Sequence, residues 1–203
     1  MKEQKRLWDL EYKNNENKWN RETRSIPAVL KGKKVLELGV GNGKTLRAIL
    51  KLKPERVVAV DFSEEAIKIC KDGFDGVKFV NGDVKKLPFA DSSFDIVVCY
   101  YILDNLLEKD RKKAVKEIYR VLNKEGKVLF EDFAVGDFRD MGRKIEKNTR
   151  EKKNGLICHF FDVPELKKLF GGFSRVDVKK KEFSPFSKSC GIKRKIVSGI
   201  VIK

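Results

Sequence analysis

Val35-Leu36-Glu37-Leu38-Gly39-Val40-Gly41-Asn42-Gly43 begins as an apolar run with one carboxylate set into it and ends on three glycines at every second position. The apolar run reads as a buried strand, and the glycines behind it as a turn that a ligand can approach closely. A helix predicted to start near Gly43 would point its N-terminus at that ligand. Outward from this stretch, short Val- and Ile-rich runs at 34–38, 56–60, 77–80, 95–100 and 127–132 alternate with charged segments of helical period. That alternation predicts an α/β fold, a mostly parallel sheet with helices between successive strands and on both faces. Two late strands, 173–180 and 195–202, bring the expected sheet to seven. Ser63 reads as an N-cap with Glu64 and Glu65 in the first turn. Residues 109–122 place Ala114, Val115, Ile118, Val121 and Leu122 on one helix face, and Asp162-Val163-Pro164-Glu165 has capping-box spacing before a short helix ending at Gly171-Gly172.

The 203 residues, 41% hydrophobic, are enough for one sizeable core. The expected organisation is a single domain over 1–203. Residues 1–33 form an N-terminal helical cap carrying Trp8, Tyr12, Trp19 and Arg24, residues 34–135 the ligand-binding core, and residues 136–203 a basic C-terminal segment with the last two strands. Charged residues make up 37% of the chain, with one histidine and one glutamine, a bias that suggests a thermophilic source. The net charge of +16 is unevenly spread: +5 over 1–34, zero over 35–138 and +11 over 139–203. Basic ends of this kind attract polyanions, nucleic acid first; a solvated lysine-rich surface is the alternative reading. Cys70, Cys99, Cys158 and Cys190 lie far apart without a CxxC pair, so neither zinc nor a disulfide framework is indicated, and reduced thiols fit a cytoplasmic protein. The charged N-terminus is not followed by an apolar stretch of signal-peptide length, and the longest apolar run, 96–103, is too short to cross a bilayer.

Asp61 stands at the end of the second predicted strand, about twenty residues beyond the glycine turn, where a carboxylate can accept hydrogen bonds from both hydroxyls of a ribose. Three features separate this loop from a dinucleotide site. Its glycines are spaced GxGxG rather than GxGxxG. Glu37 precedes the loop, where it would repel a phosphate and attract an ammonium or sulfonium group. Asn81-Gly82-Asp83-Val84 follows the third strand, placing a carboxylate within reach of an adenine amino group. Together they favour a cationic nucleoside. Read singly, the glycines could merely make a tight turn and Asp61 could cap the next helix.

These blocks resemble the class I S-adenosylmethionine-dependent methyltransferases, of Rossmann-like fold. The likeness runs from Val35 through Val58-Ala59-Val60-Asp61-Phe62-Ser63, Gly82-Asp83-Val84-Lys85-Lys86-Leu87-Pro88-Phe89, Ser93-Phe94-Asp95-Ile96-Val97-Val98 and Glu117-Ile118-Tyr119-Arg120-Val121-Leu122-Asn123-Lys124-Glu125-Gly126 to Asp132. It implies that Glu37, Gly39, Gly41 and Gly43 hold the methionine part of S-adenosyl-L-methionine, Asp61 the ribose, and Phe62, Asp83 and Val84 the adenine. Tyr100, ending the fourth strand, would face the methyl group, and the product would be S-adenosyl-L-homocysteine. Displacement at an activated methyl needs alignment and exclusion of water more than a catalytic triad; a base is required only if the acceptor must lose a proton. His159, between Cys158 and Phe160, is the candidate acceptor contact, with a packed or solvent-facing histidine as the other reading.

The fourth strand ends in Cys99-Tyr100-Tyr101-Ile102-Leu103, without an Asn-Pro-Pro-Tyr-like run for an exocyclic base nitrogen, and no cysteine pair for carbon-5 pyrimidine methylation is present. A narrower likeness is to the tRNA wobble-uridine carboxymethyl methyltransferases. It rests on Gly41-Asn42-Gly43-Lys44, Leu87-Pro88-Phe89, Phe94-Asp95, Arg111-Lys112 and His159-Phe160 before Glu165-Leu166, but Asp104-Asn105 stand where that family carries paired histidines. Three functions follow: methylation of RNA, tRNA first, bound by the basic ends; methylation of a small metabolite or protein side chain in a pocket beside the cap and His159; or binding without turnover.

Overall fold

Alternation along strand β1 (Lys34–Leu38) divides the packing between two cores. Leu36 and Leu38 join Val58, Val97, Val128 and Phe130 in one, while Val35 joins Val57, Ala59, Ile96 and Leu129 in the other. Successive side chains of a strand point to opposite faces, so a strand covered on both sides must be apolar almost throughout. The structure, a computed structural model, describes residues 2–14, 26–184 and 192–203. Strands β1, β2 (Arg56–Asp61), β3 (Lys78–Asn81), β4 (Phe94–Tyr100) and β5 (Leu122–Phe133) are parallel, and β10 (Arg194–Ile202) runs antiparallel between β5 and β9 (Arg175–Phe183). The order β3-β2-β1-β4-β5-β10-β9 completes the expected seven-stranded sheet.

Helices cover both faces. Helices α2 (Lys44–Lys51) and α3 (Glu64–Gly73) bury Leu46, Ile49, Ala66, Ile67 and Cys70 on the Val35 side. Helix α4 (Glu108–Val121) buries Ala114, Val115, Ile118 and Val121 on the Leu36 side, where α5 (Val163–Leu169) adds Leu166. Each such aliphatic side chain contributes about 1.5–3 kcal/mol by leaving water. The expected caps are in place: Ser63 Oγ accepts the Ala66 N–H at 3.2 Å, and Asp162 Oδ1 accepts the Glu165 N–H at 2.8 Å.

Three features depart from expectation. Between β3 and β4 there is a loop where a helix was expected; Glu117 Oε2 accepts the Leu87 N–H, and Arg120 donates to the Leu87 and Phe89 carbonyls. Pro88 and the left-handed Ser92 suit that loop better than a helix. Strand β5 begins at Leu122 rather than 127, with a register shift between Phe94 and Ile96 on its partner. Finally, β6 (Arg143–Glu146), β7 (Thr149–Glu151) and β8 (Ile157–His159) form a small antiparallel sheet between β5 and α5. Strands of three or four residues with charged positions carry no apolar alternation by which to be found.

Part of the expected N-terminal cap is helix α1 (Lys2–Asn14), on which Trp8 stacks with Tyr12 at 5.6 Å between ring centroids. Trp19, Arg24 and Cys190 lie outside the described residues. Cys70, Cys99 and Cys158 are buried free thiols.

At the outer end of the sheet, a Cβ added at Gly199 would come within 1.8 Å of the Asp177 carbonyl oxygen across the β9–β10 ladder. Gly199→Val is therefore expected to lower unfolding free energy by about 1–3 kcal/mol, read from urea denaturation; an unchanged midpoint would contradict this packing.

Candidate active site

The strand order reverses between β1 and β4, which opens a crevice at their carboxyl ends, the usual place for a ligand in such sheets. The glycine turn forms one lip. Gly39, Gly41 and Gly43 have φ of 69°, 54° and 77°, and Gly43 caps α2. A Cβ at Gly39 would lie 1.8 Å from Ile102 Cδ1, so a residue two positions after β4 packs directly on the backbone just after β1. Only glycine meets both the positive φ and this close approach.

Glu37 and Asp61 supply the charge. Glu37 pairs with Ala59 and Leu38 with Val60, which sets Asp61 just beyond Gly39's neighbour, on the same sheet face as Glu37. They are 1% and 4% exposed, respectively. Asp61 Oδ2 accepts the Gly41 N–H and Oδ1 the Ser63 N–H, both at 2.9 Å, so this carboxylate ties the glycine turn to the start of α3. Burial pushes Asp61 up to about 6 against the pull of those N–H groups. Neither Glu37 oxygen has a hydrogen-bond partner among the described residues. Burial, then the charge of Asp61, raises its carboxyl well above the usual range, while the Leu46 N–H draws it back without reaching hydrogen-bonding geometry. Two carboxylates without a basic partner among the described residues, in a medium where unit charges 4 Å apart interact by about 4 kcal/mol, make a site that favours a cation.

Helix α1 lies against this site. Asp9 Oδ1 accepts from Ser63 Oγ at 2.6 Å and from the Glu64 N–H at 3.0 Å, and Lys5 pairs with Glu64 at 2.5 Å. The Tyr12 hydroxyl stands 2.9 Å from where a Gly41 Cβ would be, and burial, then Asp61, raises its pKa well above the ordinary value. Gln4 reaches the other way, donating to the Gly155 carbonyl at 2.9 Å and accepting the Ile157 N–H at 3.3 Å, so α1 bridges α3 and the small sheet.

Phe62 follows Asp61 half-buried, and Asn81 Nδ2 donates to the Asp61 and Phe62 carbonyls. Asp83 turns back on its own loop, accepting the Lys85 N–H at 3.0 Å, and Val84 packs against the Leu36-side core. Tyr100, half-buried at the end of β4, has its hydroxyl pKa raised by burial and by Glu131. His159 is apart from this group. It is 1% exposed, with Nδ1 2.8 Å from Thr149 Oγ1, Nε2 2.9 Å from Glu165 Oε1, and its ring edge-on to Phe161. Those contacts hold β8 to β7 and α5.

Sequence reasoning missed a buried acid pair on the acceptor side. Asp104 accepts from Asn105 Nδ2 at 2.6 Å and lies 3.7 Å from Cys158 Sγ, while Asp132 Oδ2 accepts the Asp104 N–H at 3.1 Å. Burial raises both carboxyls, and for Asp132 the charge of Asp104 adds to it. It also missed an aromatic and basic cluster just past β4 and β5, where Tyr101 and Phe133 are 5.0 Å apart between ring centroids. Their positions, one residue beyond Tyr100 and Asp132 at the carboxyl ends of central strands, were the available signal.

The methyltransferase-domain family matches residues 36–130, the span from β1 to β5 that carries the glycine turn, Asp61 and Asp83. Over these residues the chain carries a methyltransferase domain, and its motif blocks resemble those of the class I S-adenosylmethionine-dependent methyltransferases. A demethylmenaquinone methyltransferase of Clavibacter sepedonicus is 35% identical over 123 residues, 59% of this chain and 49% of the relative. A tRNA N(3)-methylcytidine methyltransferase of Drosophila melanogaster, Mettl2, is 30% identical over 155 residues, 69% of this chain and 48% of the relative. The chain thus spans about half the length of these curated relatives. Among solved structures, the 1,6-didemethyltoxoflavin-N1-methyltransferase of Burkholderia thailandensis, with its substrate and S-adenosylhomocysteine bound, superposes with a TM-score of 0.72 at 20% identity, over 98% of this chain and 86% of that one. Its likeness is one of fold. No helix among the described residues is long and apolar enough to cross a membrane.

The raised carboxyl of Glu37 gives a pH-dependent signature. The folded protein holds this proton more tightly than the unfolded chain does. Its contribution is therefore complete below the ordinary glutamate value, about 4.3, and is lost as pH rises through the folded value. Glu37→Gln removes the buried charge, so its melting temperature should gain on that of the parent between about pH 5 and pH 8. A constant offset across that range would contradict the assignment.

Proposed function

We propose that this chain transfers the methyl group of S-adenosylmethionine to RNA, with tRNA as the first candidate. The observation that carries this reading is where the positive charge falls on the fold. Residues 35–138 are neutral, while residues 139–203 carry +11, all but one of these net charges on the described residues of the small sheet, α5, β9, β10 and their connecting loops, which build on the β5 side of the crevice. A metabolite enzyme has no need of so large a one-sided excess, whereas a polyanion bound through phosphates does. Support also comes from the tRNA methyltransferase of Drosophila, whose match extends over more of this chain than that of the demethylmenaquinone enzyme.

The residues suit the cofactor. The unpartnered Glu37 oxygens are matched to a cationic methionine end, and the glycine turn, where a Cβ would be refused, admits a ligand against the backbone. When bound, S-adenosylmethionine supplies a methyl group activated on a sulfonium. In this reading Glu37, Gly39, Gly41 and Gly43 hold the methionine part, Asp61 accepts from the ribose hydroxyls, and Phe62, Asp83 and Val84 line the adenine. Tyr100 faces the reacting methyl, Tyr12 and α1 exclude water from the glycine turn, and His159 fixes β8, on which the acceptor side is built. The acid pair Asp104–Asp132 could take a proton from an acceptor that must lose one.

A second reading, methylation of a small aromatic metabolite, is favoured by the 35% identity to the demethylmenaquinone enzyme. The two part on one experiment: incubation with radiolabelled S-adenosylmethionine and a lysate separated into RNA, protein and small-molecule fractions. Label is expected in RNA, with tRNA retained on the protein at low ionic strength and released by salt; label in protein or metabolites alone would end the RNA reading. Asp61→Ala should weaken cofactor binding by roughly ten- to a hundredfold, the value of about 1.5–3 kcal/mol for hydrogen bonds to a charged group, measured by calorimetry; retention of parental affinity would remove Asp61 from the site.

A further inference from the structure

We propose that Tyr101, Phe133, Arg139 and Arg194 form a binding site for one unpaired nucleotide, the base stacked against the rings and guanidinium planes and its phosphate held by the two arginines. The inference rests on the RNA reading above and names how that acceptor is gripped.

The rings come from the ends of the two central strands. Tyr101 directly follows β4, with φ of 57°, held by its N–H to the Glu131 carbonyl at 2.8 Å and its hydroxyl to Glu131 Oε1 at 2.7 Å. Its neighbour Ile102 is the side chain that packs on Gly39, so the cluster stands next to the cofactor crevice. Phe133 ends β5 beside it, and Phe160 lies 6.0 Å from Phe133 between centroids. The Arg139 guanidinium sits 5.0 Å from the Phe133 ring and 5.2 Å from that of Phe138. The Arg194 guanidinium sits 5.2 Å from Phe133 and 5.5 Å from Tyr101. One phenyl ring is thus shared by two guanidinium groups, both half-buried.

The two arginines have no carboxylate within ion-pairing distance among the described residues, and Arg194 Nε is buried without a hydrogen-bond partner. The carboxylate in their loop makes no ion pair with either guanidinium: Asp137 accepts the backbone N–H of Arg139 at 3.0 Å and of Lys195 at 2.6 Å, and its charge favours the Arg139 guanidinium only from a distance. Asp140 pairs with Arg150, and Glu182 with Lys193 and Lys195. More cations surround the same loop, with Lys152 donating to the Arg139 carbonyl and Lys180 to that of Val135. Desolvation and the charge of Arg194 both lower the pKa of Arg139. Holding like charges together out of water is costly for the free protein, and a phosphate relieves that cost with bidentate hydrogen bonds. Arginine planes and aromatic faces are also the surfaces on which unstacked RNA bases lie. A lone phosphate would use the arginines and leave the shared rings without purpose.

The test measures binding of unfractionated tRNA over a range of salt concentrations, with melting temperature and S-adenosylmethionine affinity as controls. Arg139→Gln/Arg194→Gln should weaken tRNA binding about tenfold or more at low salt and flatten the dependence of log affinity on log salt by about 0.7, the value for one phosphate contact on a single strand. Phe133→Leu should weaken binding several-fold with the salt slope unchanged, and Arg194→Lys, which keeps the charge without the planar fork, should fall between. These conservative variants carry the test if the double variant does not fold. If parent and double variant bind tRNA alike, or if Lys167→Gln/Lys168→Gln on α5 is just as harmful, the nucleotide site is overturned while the RNA reading stands. If the parent binds no tRNA at low ionic strength, the RNA reading fails and the site with it.

Discussion

Two buried carboxylates facing one sheet side without a basic partner among the described residues, Glu37 and Asp61, are the interaction on which the rest of the site depends. Charge is expensive to bury, and carboxylates kept out of water normally find an arginine, a lysine or several N–H groups. Asp61 finds two N–H groups, from Gly41 and Ser63, and through them it sets the glycine turn and the start of α3. Glu37 finds none of good geometry. A protein that tolerates this at the mouth of its sheet has an electrostatic preference for a cationic ligand built in, and the methyl donor of this family is one.

The surrounding structure reads as support for that mouth. The reversal of strand order opens the crevice between β1 and β4, and Ile102 closes its floor by packing on the bare backbone of Gly39. Helix α1 joins α3, through Asp9 and Lys5, to the small sheet, through Gln4, so the cofactor side and the acceptor side share one strap. Beside the crevice, Asp132 and the rings of Tyr101 and Phe133 stand at the carboxyl ends of β4 and β5, and the turn that follows β4 brings Asp104 back onto Asp132.

Much of the fold was legible because its signals are local. Val- and Ile-rich runs cannot be anything but buried strands at that spacing, Ser63 and Asp162 cap the helices they were expected to cap, and three alternate glycines in one turn demand a special backbone. Glu37, Asp61 and the glycines are brought together by the register of β1 on β2, which places the two strand ends side by side. What escaped was non-local or weakly patterned. The loop replacing a helix before β4 is held by Glu117 and Arg120, some thirty residues away. The small sheet has strands too short to show alternation, and with it went the environment of His159, which Thr149 and Glu165 enclose. The pairing of Arg139 with Arg194 joins residues far apart in sequence through a ring on a third element, and no spacing rule reaches that.

The central claim, that Glu37 and Asp61 await a positive charge, has a direct thermodynamic reading. Carboxyls raised by burial hold protons in the free protein and must release them when a cationic ligand favours their ionised forms. Calorimetric titration with S-adenosylmethionine near pH 6, repeated in buffers of different ionisation enthalpy, counts those protons. Net release that shrinks in Glu37→Gln is the predicted result; binding with no proton exchange, or with uptake, would contradict the account.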